Sequence, residues 1–222
     1  MQTTATLLIA TRNDHKVGEI RAILGEQFRY LTLKDFPHAP TVIEDADSFA
    51  GNATKKAVEL ARWLGEMRSA ECRVRNGFVL ADDSGLEVDA LGGKPGVHSA
   101  RFASLDSGKP GNSTDAENNA KLLRLLHDVP ETKRTARFRC VIALTPINIQ
   151  PSTFNPQHFA GTCEGRIDLS PSGNGGFGYD PLFIPNGYEV SFAELGEDVK
   201  NRISHRGSAL RKLNHSLNEC LI

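Results

Sequence analysis

The sequence predicts an α/β fold, and three patterns carry that expectation. Short apolar runs at Ala5–Ala10 and Phe78–Ala81 end abruptly in polar residues, as buried strands do at the edge of a core. Stretches with apolar residues at helical spacing follow or precede them. Arg134 to Leu144 alternates, with Ala136, Phe138, Cys140, Ile142 and Leu144 on one side and Arg137 and Arg139 on the other, the period of a half-buried strand. The arginines suit a solvated face or ion-pair partners.

Composition narrows the classes of function. The 222 residues suffice for one substantial core, or for two lobes sharing a sheet. The 26 basic and 27 acidic residues nearly cancel, which argues against the basic field of a nucleic-acid binder. The Ala5–Ala10 run is too short to span a membrane or to form a signal segment, so no membrane partner is expected. Cys72, Cys140, Cys163 and Cys220 form no CxxC pair and fit a reduced, cytoplasmic protein.

Taken in order, the first strand runs into Thr11-Arg12-Asn13-Asp14-His15-Lys16 and a helix with Val17, Ile20, Ile23 and Leu24 inward. Backbone N–H groups at such a helix start suit an anion, and Lys16 adds charge, although the glycines of a Walker loop are missing. Phe28–Leu33 reads as a second strand. Asp47 or Ser48 caps a long helix bearing Phe49, Ala53, Ala57, Leu60 and Leu64 on one face, with Lys55 and Lys56 near its start. Residues 67–76 read as a polar surface connection.

The run from Phe78 to Phe102 is the centre of the reading. A strand meets adjacent acids, Asp82 and Asp83; Ser84-Gly85 marks a turn, and Leu86, Val88 and Ala90 begin a second alternating strand. Asp-Ser-Gly is ordinary turn chemistry, but carboxylates at a buried strand end also suit Mg²⁺, which favours oxygen ligands from one or two carboxylates plus phosphates. Glu44 is a candidate third acid.

Further on, Thr114 and Glu117 form a capping box for a helix with Ala116, Ala120, Leu123 and Leu126 inward. Residues 147–158 read as a hairpin loop, and Phe159–Leu169 as its return strand. The glycine-dense run Ser172 to Pro181 suggests either backbone approaching a flat ligand, with Phe177 available to stack on a base, or a tight bulged turn. Phe192–Leu195 begins a short helix, and Lys200 follows. Ser204 caps a last helix with Leu210, Leu213 and Leu217 inward. His205 and Arg206 are thereby placed at a positive helix start, where cations are disfavoured unless an anion shares the site.

Five ordered motifs, ATRNDHK, SFAGNATKKA, LADDSGLEVDALGGKPGVHSARF, GGFGYDPLF and ISHRGSAL, make the chain resemble the inosine/xanthosine triphosphate pyrophosphatase family, its bacterial type most of all. The resemblance implies one domain over residues 1–222: an elongated α/β protein with two lobes around a long mixed sheet and a central cleft. It implies a homodimer that hydrolyses dITP, ITP and XTP to the monophosphate and pyrophosphate with Mg²⁺. By motif, Thr11, Arg12, Asn13, Asp14, His15 and Lys16 would bind the triphosphate, and Lys56 would contact phosphates. Glu44 and Asp83 would hold the metal, with Asp83 as proton acceptor and Ser84 as a substrate contact. Phe177, Gly178, Tyr179 and Asp180 would surround base and sugar. Lys200, His205 and Arg206 would complete the pocket, the last two near the purine 6-keto edge. A Maf-like pyrophosphatase for modified pyrimidine nucleotides and a non-hydrolysing nucleotide binder are the alternatives.

Overall fold

A computed structural model describes residues 5–67, 77–106, 108, 111–147 and 156–219. The expected connection over residues 67–76 and the middle of the 147–158 loop lie largely outside the described residues. The chain divides into two compact units, one of Met1–Asp83, Val141–Ala160 and Ala209–Ile222, the other of Ser84–Cys140 and Gly161–Ser208.

The described strands are β1 (Thr6–Ile9), β2 (Arg29–Thr32), β3 (Gly77–Val88), β4 (Thr135–Pro146), β5 (Gln157–Ile167) and β6 (Phe183–Pro185). They form one sheet in the order β2-β1-β3-β4-β5-β6. The β1 strand pairs in parallel with β2 and β3, and β5 pairs antiparallel with β6, so the sheet is mixed. Leu7, Leu8 and Ile9 are buried throughout, as expected for a strand flanked on both edges.

In the first unit, α1 (Asp14–Leu24) and α2 (Phe49–Glu66) follow β1 and β2. Ser48, one of the two expected caps, accepts from Gly51 N–H at 3.1 Å. The α2 helix buries Phe49, Ala53, Ala57, Leu60 and Leu64, the predicted stripe, together with Asn52 and Ala61. In the second unit, α3 (Asp115–Leu125) starts with the predicted capping box: Thr114 Oγ1 accepts from Glu117 N–H at 3.2 Å, and the Glu117 carboxylate accepts from Thr114 N–H at 2.8 Å. The α4 (Phe192–Leu195) and α5 (Glu197–Ile203) helices follow in that unit, and α6 (His205–Glu219) begins in it and belongs to the first unit from Ala209 on. Ser204 caps α6 as expected, accepting from Gly207 N–H at 3.1 Å.

The second unit's core is a cluster of Leu86, Val88, Phe102, Leu122, Leu126, Phe138, Tyr179, Leu182, Phe183 and Phe192 with smaller neighbours. The arginines on the far side of β4 are ion-paired: Arg137 meets Asp89 and Glu164 at 3.0 Å each, and Arg139 meets Glu87 at 3.2 Å.

Two local expectations fail. The α3 helix leaves Ala116 and Ala120 exposed and buries Asn118, Asn119, Lys121 and Leu122 instead, since Asn118 and Lys121 hydrogen-bond the backbone at Ala103 and Phe102. No turn interrupts the chain at Ser84-Gly85, since β3 runs unbroken from Gly77 to Val88, and Ala90 belongs to a single 3-10 turn beyond its end. Partners distant in sequence hold the strand extended. Leu86 N–H donates to the buried Ser99 Oγ at 2.9 Å, and the Asp82 carboxylate is paired with Lys16 of α1.

Candidate active site

The side chains expected to carry chemistry fall into a group in each unit. The first is built on β3, whose pleat sends Asp82 and Asp83 to opposite faces. Both are buried. The Asp82 carboxylate accepts from Lys16 Nζ of α1, and its backbone carbonyl accepts from Lys56 Nζ of α2 at 2.7 Å. Asp83 turns toward α2, where its Oδ2 accepts from Asn52 Nδ2 at 3.1 Å. Its Oδ1 lies 4.0 Å from Lys56 Nζ, outside hydrogen-bond range, and Glu44 Oε2 lies 3.1 Å from the same ammonium.

Lys56 is therefore the hub at which Glu44, Asp83 and the Asp82 carbonyl meet. Burial pushes the Asp83 carboxyl up to about 6, against the pull of Lys56 and Lys16. A carboxyl raised by desolvation despite nearby lysines occupies a site short of positive charge. Asp83 and Glu44 thus fit a hard divalent cation in both charge and donor type, with water and substrate phosphates completing its shell. Among the described residues, no cluster of three or more His, Cys, Asp or Glu is arranged to hold a metal by itself.

The Thr11–Lys16 segment forms the expected strand–loop–helix unit, but its polar side chains serve the backbone first. Thr11 Oγ1 accepts from Asn13 N–H, and Asn13 Oδ1 caps α1 by accepting from Lys16 N–H, both at 3.1 Å. Arg12 and His15 are exposed. Asp14, also exposed, pairs with Lys34 at 2.6 Å.

The second group surrounds the glycine-dense loop. Asp180 Oδ2 accepts from Phe177 N–H at 2.8 Å and from Lys200 Nζ at 2.6 Å. Lys200 Nζ also lies over the Phe177 ring, 4.5 Å from its centroid, with Arg206 Cζ 5.8 Å away. Arg206 is fully buried and donates to Ser84 Oγ at 2.8 Å. His205 stacks on Phe138, with ring centroids 4.8 Å apart and planes at 13°. Tyr179 O–H donates to the Ser99 carbonyl at 2.9 Å, and burial pushes its phenol well above the usual range.

The glycines in this loop have reasons inside the fold. A Cβ on Gly173 would fall 2.7 Å from the Ala193 backbone, and one on Gly175 would fall 2.8 Å from the Ala193 carbonyl oxygen. Gly176 lies against the Asp180 carboxylate with φ +72°. This is the tight-turn reading of the run.

Sequence reading passed over Asn52, Asp115 and Asn119. Asn52 is a fully buried polar residue in the apolar stripe of α2; it accepts from Ala46 N–H at 2.9 Å as well as donating to Asp83. A polar residue at a core position was the available signal. Asp115 and Asn119 hold Gly178 and could be read only as helix-cap and helix-face residues.

Carboxylates and lysines gathered at β3, with a buried aromatic–cation group at the start of α6, define an α/β protein of the kind that handles phosphorylated ligands. The Ham1 family model matches residues 7–216, and the chain belongs to that family. It is 47% identical over 217 residues to a dITP/XTP pyrophosphatase of Desulforamulus reducens, covering 97% of both chains. It is 47% identical over 212 residues to another from Geobacter sulfurreducens, covering 95% of this chain and 96% of that protein. A solved HAM1 protein from Coxiella burnetii matches with a TM-score of 0.79 and 35% identity, covering 97% of this chain and 99% of that one.

Proposed function

We propose that this protein is a single-domain nucleoside triphosphate pyrophosphatase that hydrolyses dITP, ITP and XTP to the monophosphate and pyrophosphate, using Mg²⁺. The hydrolase class and the nonstandard purine substrates follow from the family and its named dITP/XTP pyrophosphatases. The observation that carries the chemistry is Asp83, a buried carboxylate with Oδ2 fixed by Asn52, Oδ1 turned toward Lys56 and Glu44, and a proton affinity raised to about 6.

In this reading Asp83 accepts a proton from the water that attacks the α-phosphorus. The new bond forms from the water oxygen, the bond to the oxygen bridging α and β breaks, and pyrophosphate departs. Burial raises the proton affinity of the metal-free carboxyl, the property that marks a candidate base. Asn52 fixes the carboxylate plane, while Lys56 and Lys16 offset negative charge on the phosphates. Glu44 and Asp83 would hold the Mg²⁺, which supplies Lewis-acid stabilisation of phosphate oxygens and a lowered pKa for bound water. Thr11, Arg12, Asn13, Asp14 and His15 would complete the triphosphate contacts.

The second unit's group would take the base and sugar: Ser84, Phe177, Gly178, Tyr179 and Asp180, with Lys200, His205 and Arg206. Donors to a 6-keto oxygen would be left unpaired against the 6-amino group of adenine, which costs binding. We further propose a cytoplasmic homodimer. Among the described residues no helix is long and apolar enough to cross a membrane.

The test is a panel of nucleoside triphosphates with Mg²⁺, assayed for pyrophosphate against phosphate release. Stoichiometric pyrophosphate from dITP, ITP and XTP, with ATP slow, is expected. Orthophosphate as the first product, or preference for modified pyrimidine nucleotides, overturns the proposal.

A further inference from the structure

Helix α3 devotes two adjacent buried positions to amides. Asn118 holds the backbone of residues 100–103: its Oδ1 accepts from Ala103 N–H at 2.9 Å, and its Nδ2 donates to the Ala100 carbonyl at 3.3 Å. Asn119 Nδ2 donates to the Gly178 carbonyl at 3.0 Å, and one turn earlier Asp115 Oδ2 accepts from Gly178 N–H at 2.6 Å. Both backbone polar groups of Gly178 are therefore gripped by one face of one helix. A buried amide costs free energy where its hydrogen bonds are not made, and among the described residues Asn119 Oδ1 has no partner, so Asn119 is held in place for its Nδ2 bond to Gly178. The Asp115 and Asn119 bonds fix a glycine with φ +65°, in the left-handed region.

Gly178 directly follows Phe177, whose own N–H is held by Asp180. The peptides on both sides of the Phe177 side chain are thus pinned, and with them the ring beneath Lys200 and Arg206. The ordinary account of Asp115 is an acid in the first turn of a helix, favoured by the helix dipole. That account gives no reason for its contact with a backbone 63 residues away.

We propose that Asp115 and Asn119 are positioning residues for base recognition: they clamp Gly178 and set the Phe177 ring. The inference rests on the assignment of Phe177 to the purine base.

Steady-state kinetics with dITP and Mg²⁺ test it, using Asp115→Ala, Asp115→Asn, Asn119→Ala, Phe177→Ala and the Asp115→Ala/Phe177→Ala double variant. Losing one clamp hydrogen bond is expected to raise KM about five- to tenfold while kcat stays within about twofold. Asp115→Asn keeps the accepting oxygen but loses the charge, so near-wild-type KM is expected; a dipole role would make it behave like Asp115→Ala. In the Phe177→Ala background, Asp115→Ala should add less than about twofold, because the ring it positions is gone. Unchanged KM in Asp115→Ala, or full additivity with Phe177→Ala, overturns the clamp while leaving the pyrophosphatase reading intact. Because Asp115 is exposed, its variants keep the test valid even if Asn119→Ala fails to fold. A wild-type protein that releases no pyrophosphate overturns the reading of the reaction, and the clamp with it.

Discussion

Replacing Asp83 with Asn should remove activity and stabilise the metal-free protein. Burial holds the folded-state carboxyl at about 6 against an ordinary 3.8. Between those values the folded chain binds a proton more tightly than the unfolded chain, so stability falls as pH rises through the window. Above pH 6 the penalty is complete: a shift of about two units, at about 1.4 kcal/mol each, gives about 3 kcal/mol. Asparagine is neutral at every pH and keeps an oxygen to accept from Asn52, although it gives up the attraction to Lys56. The metal-free variant should therefore be about 1–3 kcal/mol more stable than wild type at pH 8, or about 3–10 °C in Tm for a chain of this length. Near pH 4 the difference should shrink toward zero. Thermal and urea unfolding in EDTA at pH 4, 6 and 8 measure this directly. Added Mg²⁺ should then raise the wild-type Tm and leave the variant nearly unmoved. A variant less stable than wild type at pH 8, or a gain independent of pH, would refute the view of Asp83 as a buried carboxylate held ionised against its environment.

Other perturbations separate structure from chemistry. Lys16→Met removes the ammonium from an Asp82 side chain that is only 2% exposed and should cost about 3 kcal/mol in urea unfolding; adding Asp82→Asn should recover most of that loss. Gly176→Ala places a methyl group against the Asp180 carboxylate at a φ of +72°, and should lower stability by about 2 kcal/mol while raising KM for dITP. Thr114→Ala deletes the α3 capping box and should cost about 1 kcal/mol by denaturant melt; this variant also loosens the turn bearing Asp115.

Local signals were the legible ones. The Thr114–Glu117 box, the Ser48 and Ser204 caps, the α2 stripe and the β4 alternation each lie within a few residues of chain, and the structure contains them all. The misreading at Ser84-Gly85 came from the same locality. Asp-Ser-Gly has the composition of a turn, and only partners remote in sequence, Ser99 for the Leu86 N–H and Lys16 for the Asp82 carboxylate, let the strand continue through it. Glycine density at 173–178 pointed equally to a ligand or a tight turn, because the Ala193 backbone and Asp180 carboxylate that exclude a Cβ there are fixed by folding.

The continuous strand also explains how adjacent acids acquire different duties. The expected turn at Ser84-Gly85 would have left both carboxylates at a strand end, free to share a ligand. An unbroken pleat instead sends them to opposite faces. Asp82 meets Lys16 of α1, and Asp83 meets Asn52 and the Lys56–Glu44 pair beside α2. Asp82 is thereby committed to ordering two lysines, Lys16 through its carboxylate and Lys56 through its carbonyl. Burial raises the proton affinity of the Asp83 carboxyl against the pull of Lys56 and Lys16, and its Oδ1 stands 4.0 Å from Lys56 Nζ. An Asp82→Asn variant should therefore lose stability and phosphate affinity before it loses proton transfer: KM should rise while the acid limb of the pH–rate profile stays in place. In the conservative Asp83→Glu variant that limb should move. A shift of the limb in Asp82→Asn, with Asp83→Glu unmoved, would reverse the two assignments.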